Sequence, residues 1–273
     1  MINTADIYFP FGETERLFIK SIWRIYEYNI QKRTETILPK GTVEIIFNLS
    51  DDIVYCNSAI DRGDKLPLCF INGINLKPFN LIKKKQQAFL GIQLNIFALK
   101  ILFNIPVIEF NNRVIDGTLI CKSLNTLLNQ IGSTSLFTEQ VNLILKWFYN
   151  KIAVAKNGSE IHRICKFYYD REIKEMKVHK ICHKYNYSER HFRRLSVEWL
   201  GMNTEEFVLY QKYLNSLFLL HRPNLTLTDI GYDAGYYDQS HFIREFKSFT
   251  GISPKEYRKT MSELPGHIYR QPL

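Results

Sequence analysis

The chain has 273 residues, with 36 Lys and Arg against 27 Asp and Glu, a net charge of +9, 45 % apolar and 14 % aromatic residues. That much apolar material excludes a disordered chain, and the length suits about two domains, each able to bury its own core. The basic balance favours a polyanionic partner such as nucleic acid or an anionic membrane surface.

In chain order, Met1 to Gly12 hold neither a basic cluster nor an apolar run of signal-peptide length, so a cytoplasmic protein is expected. Val43, Ile45, Phe47 and Leu49 alternate with Glu44, Ile46 and Asn48 after the turn signal Pro39-Lys40-Gly41, which predicts a half-buried strand. Further short strands are predicted at Ile53 to Cys56, Leu68 to Ile71, Phe79 to Ile82 and Ala88 to Leu94. Asn, Asp, Gly and Pro clusters separate them, as in an antiparallel sheet or small barrel. Lys83-Lys84-Lys85 reads as a solvated hairpin tip rather than a membrane patch. Phe9, Phe11, Trp23, Tyr26 and Tyr28 could line a pocket, but strand aromatics are more often core. The most apolar stretch, Leu90 to Phe110, is broken by Gln93, Asn95, Lys100, Asn104 and Pro106, so no bilayer span is expected.

The period then turns helical. Ile120, Leu124, Leu127, Leu128 and Ile131 share one face, as do Val141, Ile144, Leu145, Phe148 and Ile152, the second helix being a candidate linker or pairing surface. Ala155 to Ser159 is the candidate boundary, with Ser159 as an N-cap, and everything after it reads as helix. Five scattered cysteines, Cys56, Cys69, Cys121, Cys165 and Cys182, suit buried thiols in a reducing compartment.

One unit occurs twice. Phe192, Arg194, Trp199, Gly201, Asn203, Glu206 and Phe207 recur fifty residues later as Phe242, Arg244, Phe249, Gly251, Ser253, Glu256 and Tyr257. Upstream the offset is forty-nine, pairing Cys182 with Gly231 and Asn186-Tyr187 with Gly235-Tyr236, so the second copy's turn holds one extra residue. Each copy reads as a short helix, a tight turn and a longer helix, which is helix-turn-helix geometry. Ser188 caps the first longer helix and Gly201 ends it; Thr228 caps the second copy's short helix, and Gly251 ends its longer one. Small residues at Cys182 and Gly231 would let the paired helices cross closely. Phe192, Leu195 and Trp199 form a core stripe opposite Arg190, Arg193, Arg194 and Val197; Phe242, Phe246 and Phe249 lie opposite Ser240, Arg244 and Lys247, with Gln239 and His241 at the helix start. An arginine fork matches guanine or phosphate, and glutamine matches adenine, in a major groove.

These residues resemble the AraC/XylS family of bacterial transcription regulators. The likeness is carried by Gly235-Tyr236-Tyr237-Asp238-Gln239-Ser240-His241-Phe242 with Arg244, Phe246, Lys247, Gly251, Ser253-Pro254 and Tyr257-Arg258, and in the first unit by Ser188, Phe192, Arg194 and Gly201. It covers about residues 159–259. It implies DNA contacts from Arg190, Arg193, Arg194, Gln239, Ser240 and Arg244, with His241 and Lys247 beside them. Gly231 stands where the family usually has Ala, and Ser196 where it has an aromatic residue, which thins the first unit's core. Leu38-Pro39-Lys40-Gly41 with Glu44-Ile45-Ile46-Phe47 and Phe70-Ile71-Asn72-Gly73 is similar to regulatory domains found ahead of such units, some of them cupin-like barrels.

The expected architecture is α+β in two domains. Residues 1–155 form an antiparallel sheet or cupin-like small barrel with helices, for ligand sensing or dimerisation. Residues 156–260 form an all-α double helix-turn-helix domain, with units at about 173–201 and 227–251, and residues 261–273 are a tail. The expected function is sequence-specific binding of double-stranded DNA in transcription regulation. A small-molecule effector or a homodimer would modulate it, and RNA polymerase would be a partner of an activator. No cofactor, metal or membrane partner is expected. All seven histidines lie at or after His162, which disfavours a cupin-like metalloenzyme. His162-x-x-Cys165 and Cys182-His183 lack a partner pair for zinc. Cys56, Cys69 and Cys121 lack the adjacent Cys or His that a DNA-repair alkyltransferase needs.

Overall fold

The structure is a computed structural model, and residues 4–50, 54–57, 64–155 and 158–270 are described. It is α+β. In chain order the first half contains β1 (Thr4–Tyr8), α1 (Glu13–Phe18), β2 (Ile19–Ile37), β3 (Val43–Asn48), β4 (Val54–Asn57), β5 (Asp64–Lys65), β6 (Cys69–Asn72), β7 (Phe79–Leu94), α2 (Ala98–Phe103), a 3-10 turn at Val107–Phe110, β8 (Val114–Asp116), α3 (Gly117–Ile120), α4 (Lys122–Gly132) and α5 (Phe137–Ala153). The second half contains α6 (Gly158–Tyr169), a 3-10 turn at Arg171–Glu175, α7 (Val178–Lys184), α8 (Glu189–Leu200), α9 (Thr204–Leu219), α10 (Leu227–Asp233), α11 (Gln239–Thr250), α12 (Pro254–Thr260) and β9 (His267–Arg270).

The sheet runs β1-β2-β7-β3-β6-β8, every pair antiparallel, with β4 on β7 and β5, and β9 on β2. Two long strands form its spine, and their register shifts between Glu27 and Ile30 and again between Ile30 and Arg33. Bulges there bend the ribbon, so that β2 pairs with β1 at one end and with β9 at the other. Phe79–Ile82 and Ala88–Leu94 are thus one strand rather than two, and the backbone of Lys83 to Lys85 lies within it, paired to β2, rather than at a hairpin tip. Their side chains lie outside the described residues, as do Ile53 and the side chain of Cys56.

β3 is buried along both faces, not half-buried. Val43, Ile45 and Phe47 join the main core under the helices, while Ile46 faces a smaller cluster with Ile37, Leu66, Phe70, Phe79 and Phe89. Because the sheet curls, its inner face encloses a cavity instead of meeting water. Trp23 alone of the five N-terminal aromatics lines that cavity, while Phe9, Phe11 and Tyr28 are exposed. The second apolar helix, α5, is covered from within the chain: Trp147 Nε1 donates to Ser123 Oγ at 2.9 Å and the Tyr149 hydroxyl to Glu15 at 2.7 Å.

The main core is continuous from the sheet into the helical half. Two fully buried tyrosines of α9 fix the loop between β2 and β3. The Tyr213 hydroxyl donates to the Pro39 carbonyl at 3.0 Å, and Tyr210 accepts from the Gly41 N–H at 3.0 Å while donating to the Asn75 carbonyl at 3.1 Å. Glu198 of α8 pairs with Lys100 at 3.0 Å, and the Asn111 amide donates to the Gly201 carbonyl. The tail is not all helix: β9 returns to β2, where Ile268 is buried and His267 pairs with Glu35. Helix α6 begins at Gly158, so Ser159 lies inside the helix rather than capping it. Among the described residues, no helix is long and apolar enough to cross a membrane.

Lys20 sits under this junction, its ammonium donating to the Gly41 carbonyl at 3.1 Å. Burial pushes its pKa from 10.5 down to about 8, against the opposing pull of Glu44. The unfolded chain holds that proton more tightly, so its penalty on the fold is full below about pH 8 and is relieved as pH rises towards 10.5. Lys20→Met should flatten the gain in stability between those values, measured by denaturant unfolding at a series of pH values.

Candidate nucleic-acid interface

The two units fold through the same local bonds. Asn186 and Gly235 hold the turns with φ of 56° and 88°. In each, a tyrosine N–H one residue later closes the turn: Tyr187 to the Cys182 carbonyl and Tyr236 to the Gly231 carbonyl, both at 2.9 Å. Tyr187 packs on Phe192 with ring centroids 5.4 Å apart, and Tyr236 packs on Phe242 at the same 5.4 Å. His191 and His241 rest on those tyrosines at 4.9 and 5.4 Å. The extra residue of the second turn is Tyr237, exposed between Tyr236 and the cap Asp238; the sequence offset pointed to the turn without naming it.

The longer helices start and stop as their sequences require. Ser188 Oγ accepts from His191 N–H at 3.3 Å and Asp238 Oδ1 from His241 N–H at 2.7 Å, while Gly201 and Gly251 close both helices at φ 74°. The short helix α10 is capped by Thr226 in a reciprocal box with Asp229, not by Thr228. Thr228 is the second residue of the helix, its hydroxyl donating to Gln239 Oε1 at 2.9 Å. Asp at the third helical position completes the box, and that decides the start two residues earlier.

Packing sorts the faces. Phe192, Leu195, Trp199, Phe242 and Phe246 are buried, and Phe249 is half-buried against Tyr213, ring to ring at 4.7 Å. Ser196 is also fully buried, and its hydroxyl meets that of Thr204 at 3.2 Å, so α9 takes up the space that an aromatic side chain would fill. Helix α9 locks the two units together, with Tyr213 also against Phe246, Phe207 against Phe167, and Asn215 donating to the Asp233 carbonyl at 3.1 Å.

Of the sequence-predicted contacts, Arg190, Arg193, Arg194, Gln239, Ser240, Arg244 and Lys247 are exposed. His241 is half-buried, its ring edge on Tyr236 and its Nε2 3.9 Å from Glu245. Thr228 occupies the Gln239 oxygen, which leaves the amide NH2 for an acceptor. Among the described residues, Arg194 makes only a 3.5 Å contact with His191, and Arg244 only a 3.4 Å contact with Glu245. Both forks are nearly free to bind. Among the described residues, no group of His, Cys, Asp and Glu could hold a metal ion.

Residues 181–260 match a family described as a helix-turn-helix domain. The C-terminal part of the chain is an AraC-type helix-turn-helix domain. Ahead of the AraC-type domain, residues 16–116 match a domain of unknown function (DUF6597). The Msm operon regulatory protein of Streptococcus mutans is 24 % identical over 156 residues, 57 % of this chain and 51 % of that one. An HTH-type transcriptional regulator of Haemophilus influenzae is 29 % identical over 75 residues, 28 % of this chain and 25 % of that one. The chain spans about half the length, or less, of these curated relatives. Among solved structures, unsaturated fatty acid bound ToxT of Vibrio cholerae is similar at 11 % identity and a TM-score of 0.49, covering 97 % of this chain and 98 % of that one. The DNA-binding domain of AdpA in complex with a target DNA is similar at 18 % identity and a TM-score of 0.33, covering 37 % and 89 %.

Gly231 of the AraC-type domain, unlike most close-packed glycines, has room for a side chain. A Cβ there would lie 3.5 Å from the Phe242 Cβ and 3.8 Å from the Gln239 Cα, ordinary van der Waals contact. Alanine is the better helix former by about 1 kcal/mol. Gly231→Ala should therefore raise unfolding free energy by roughly 0.5–1 kcal/mol in chemical denaturation; a decrease would mean that α10 and α11 cross more closely than this.

Proposed function

We propose that the chain is a sequence-specific DNA-binding transcription regulator. Helices α8 and α11 enter successive major-groove segments about 34 Å, one helical turn, apart. Arg190, Arg193 and Arg194 contact the first segment, and Gln239, Ser240, His241, Arg244 and Lys247 the second. The turn built twice with the same bonds supports this, because it sets two arginine-bearing helices on one rigid helix, α9, with their forks uncommitted. The N-terminal half modulates DNA binding through an effector or self-association. The protein acts in the cytoplasm, as a homodimer where sites are paired, and contacts RNA polymerase where it activates.

A catalytic role in DNA alkyl repair is not favoured. Burial pushes the Cys69 thiol up to about 12 and the Cys165 thiol to about 11, away from the thiolate such chemistry needs. Cys121 is buried too, but Lys151 and Ser123 outweigh that burial and hold its thiol below the usual value, so it is the one cysteine of these three that a methyl-transfer assay should follow. Selection from random duplex DNA tests the proposal. Two enriched half-sites separated by about one helical turn are expected, and recovery of unenriched DNA held only at low salt would overturn it.

A further inference from the structure

Helices α10 and α11 meet near their first turns, and the meeting point joins Thr228 to Gln239. Thr228 and Gly231 lie three residues apart on α10 and so share a face. A Cβ on Gly231 would lie 3.8 Å from the Gln239 Cα, and one turn earlier the Thr228 hydroxyl donates to Gln239 Oε1 at 2.9 Å. We propose that Thr228 is a positioning residue that makes Gln239 read guanine rather than adenine. The proposal rests on α11 being a DNA-reading helix.

Both ends of the Thr228–Gln239 bond are held by the caps around them. At the start of α10, Asp229 Oδ2 accepts from the Thr226 N–H at 3.0 Å, and the Asp229 N–H donates to Thr226 Oγ1 at 3.1 Å. At the start of α11, Asp238 Oδ1 accepts from the His241 N–H at 2.7 Å, and Gln239 is the first residue of the helix. Threonine is stiff at χ1, so a fixed backbone also fixes the direction of its hydroxyl. Among the described residues that hydroxyl has no other partner.

Glutamine matches adenine by using both ends of its amide at once, the oxygen accepting from the N6 amine while the nitrogen donates to N7. With its oxygen held by Thr228, Gln239 offers a base edge its NH2, which carries two donors and no acceptor. Guanine presents two acceptors, O6 and N7, on its major-groove edge; adenine sets a donor beside N7, and thymine has O4 alone. Turning the oxygen towards an adenine N6 would rotate the amide out of reach of the threonine and lose that hydrogen bond. The first residues of a recognition helix are the ones that meet base edges, and Gln239 stands there.

The first unit lacks this pair. Its matched positions are His179, forty-nine residues before Thr228, and Glu189, fifty before Gln239. A carboxylate accepts only and suits the cytosine amine, so the two units present opposite hydrogen-bonding characters at the start of their longer helices. The Thr228–Gln239 bond is therefore particular to the second unit and no by-product of the turn that both share.

The test is selection from random duplex DNA with the parent, Gln239→Ala, Thr228→Val and Thr228→Ser. The position that Gln239 reads is the one whose base preference Gln239→Ala erases. There the parent should bind guanine roughly 5- to 150-fold tighter than adenine, measured by fluorescence anisotropy. Thr228→Val frees the amide and should narrow that ratio by roughly 2- to 10-fold, whereas Thr228→Ser retains the hydroxyl and should retain the ratio. The ratio compares two sites on one protein, so a general loss of affinity does not move it. A parent preference for adenine or thymine at that position would overturn the proposal, whether or not the valine variant folds. So would an unchanged ratio in Thr228→Val, or an enriched site at which Gln239→Ala alters nothing. Each of these leaves the DNA-reading proposal standing, while a parent that enriches no site overturns both.

Discussion

Arg194→Ala and Arg244→Ala should each weaken binding to the selected DNA site by roughly 1–3 kcal/mol, about 5- to 150-fold, if each fork reaches a guanine edge. Both residues are exposed, and the Arg244 side chain retains 75 % of its accessible surface. Neither holds a strong internal bond, so little is surrendered on binding and the fold should change by less than about 0.5 kcal/mol. The salt dependence separates the possible roles. Removing an arginine that bonds a base edge relaxes specificity at one position and leaves the slope of log K against log salt nearly unchanged. Removing one that bonds a phosphate weakens all sequences alike and lowers the slope by about 0.9. The two arginines sit on different helices joined through α9, so their effects should add within about 0.5 kcal/mol. Unchanged affinity in both variants, measured by fluorescence anisotropy, would remove α8 and α11 as the reading helices.

The helix-turn-helix units were legible because their determinants are local. A cap, a left-handed turn residue and an aromatic stripe all act within a few residues, and Ser188, Gly201, Gly251 and Phe192 stand where their chemistry requires. The cap at Thr226 was missed because Thr228 also precedes an apolar run, and only the reciprocal bond to Asp229 decides between them. The first half was less legible because its sheet curls. Glu44 and Gln93 alternate with apolar residues as a solvent face would, yet the concave side encloses them. β9 has four residues, and its pairing with β2 joins residues more than two hundred positions apart, so no local period announces it. Tyr210 and Tyr213 read as ordinary core aromatics, while their hydroxyls fasten the helical half to the loop at Pro39 and Gly41.

Gly73→Ala should destabilise the fold by more than about 3 kcal/mol, because the clash it creates is with backbone that cannot rotate away. Gly73 follows β6, its N–H donates to the Arg113 carbonyl at 3.1 Å, and a Cβ would lie 1.8 Å from the Phe110 carbonyl oxygen and 2.5 Å from its carbon. Phe110 ends the 3-10 turn at Val107–Phe110, and Val107 and Phe110 are both core residues. The same turn leads into Asn111, whose amide donates to the carbonyl of Gly201 at the end of α8. Displacing the turn therefore strains the sheet and withdraws the support beneath α8 together. At about 2–4 °C per kcal/mol the midpoint should fall by roughly 6–12 °C. Gly132→Ala, at the end of α4 with nothing within 4 Å of the added carbon, is the control and should stay near the parent. Hydrogen exchange should quicken in 107–111 and 189–201 of the Gly73 variant and stay unchanged in α11, which the turn does not reach. If Gly73→Ala is as stable as the control, β6 and the turn are not in contact, and α8 does not rest on the sheet by this route.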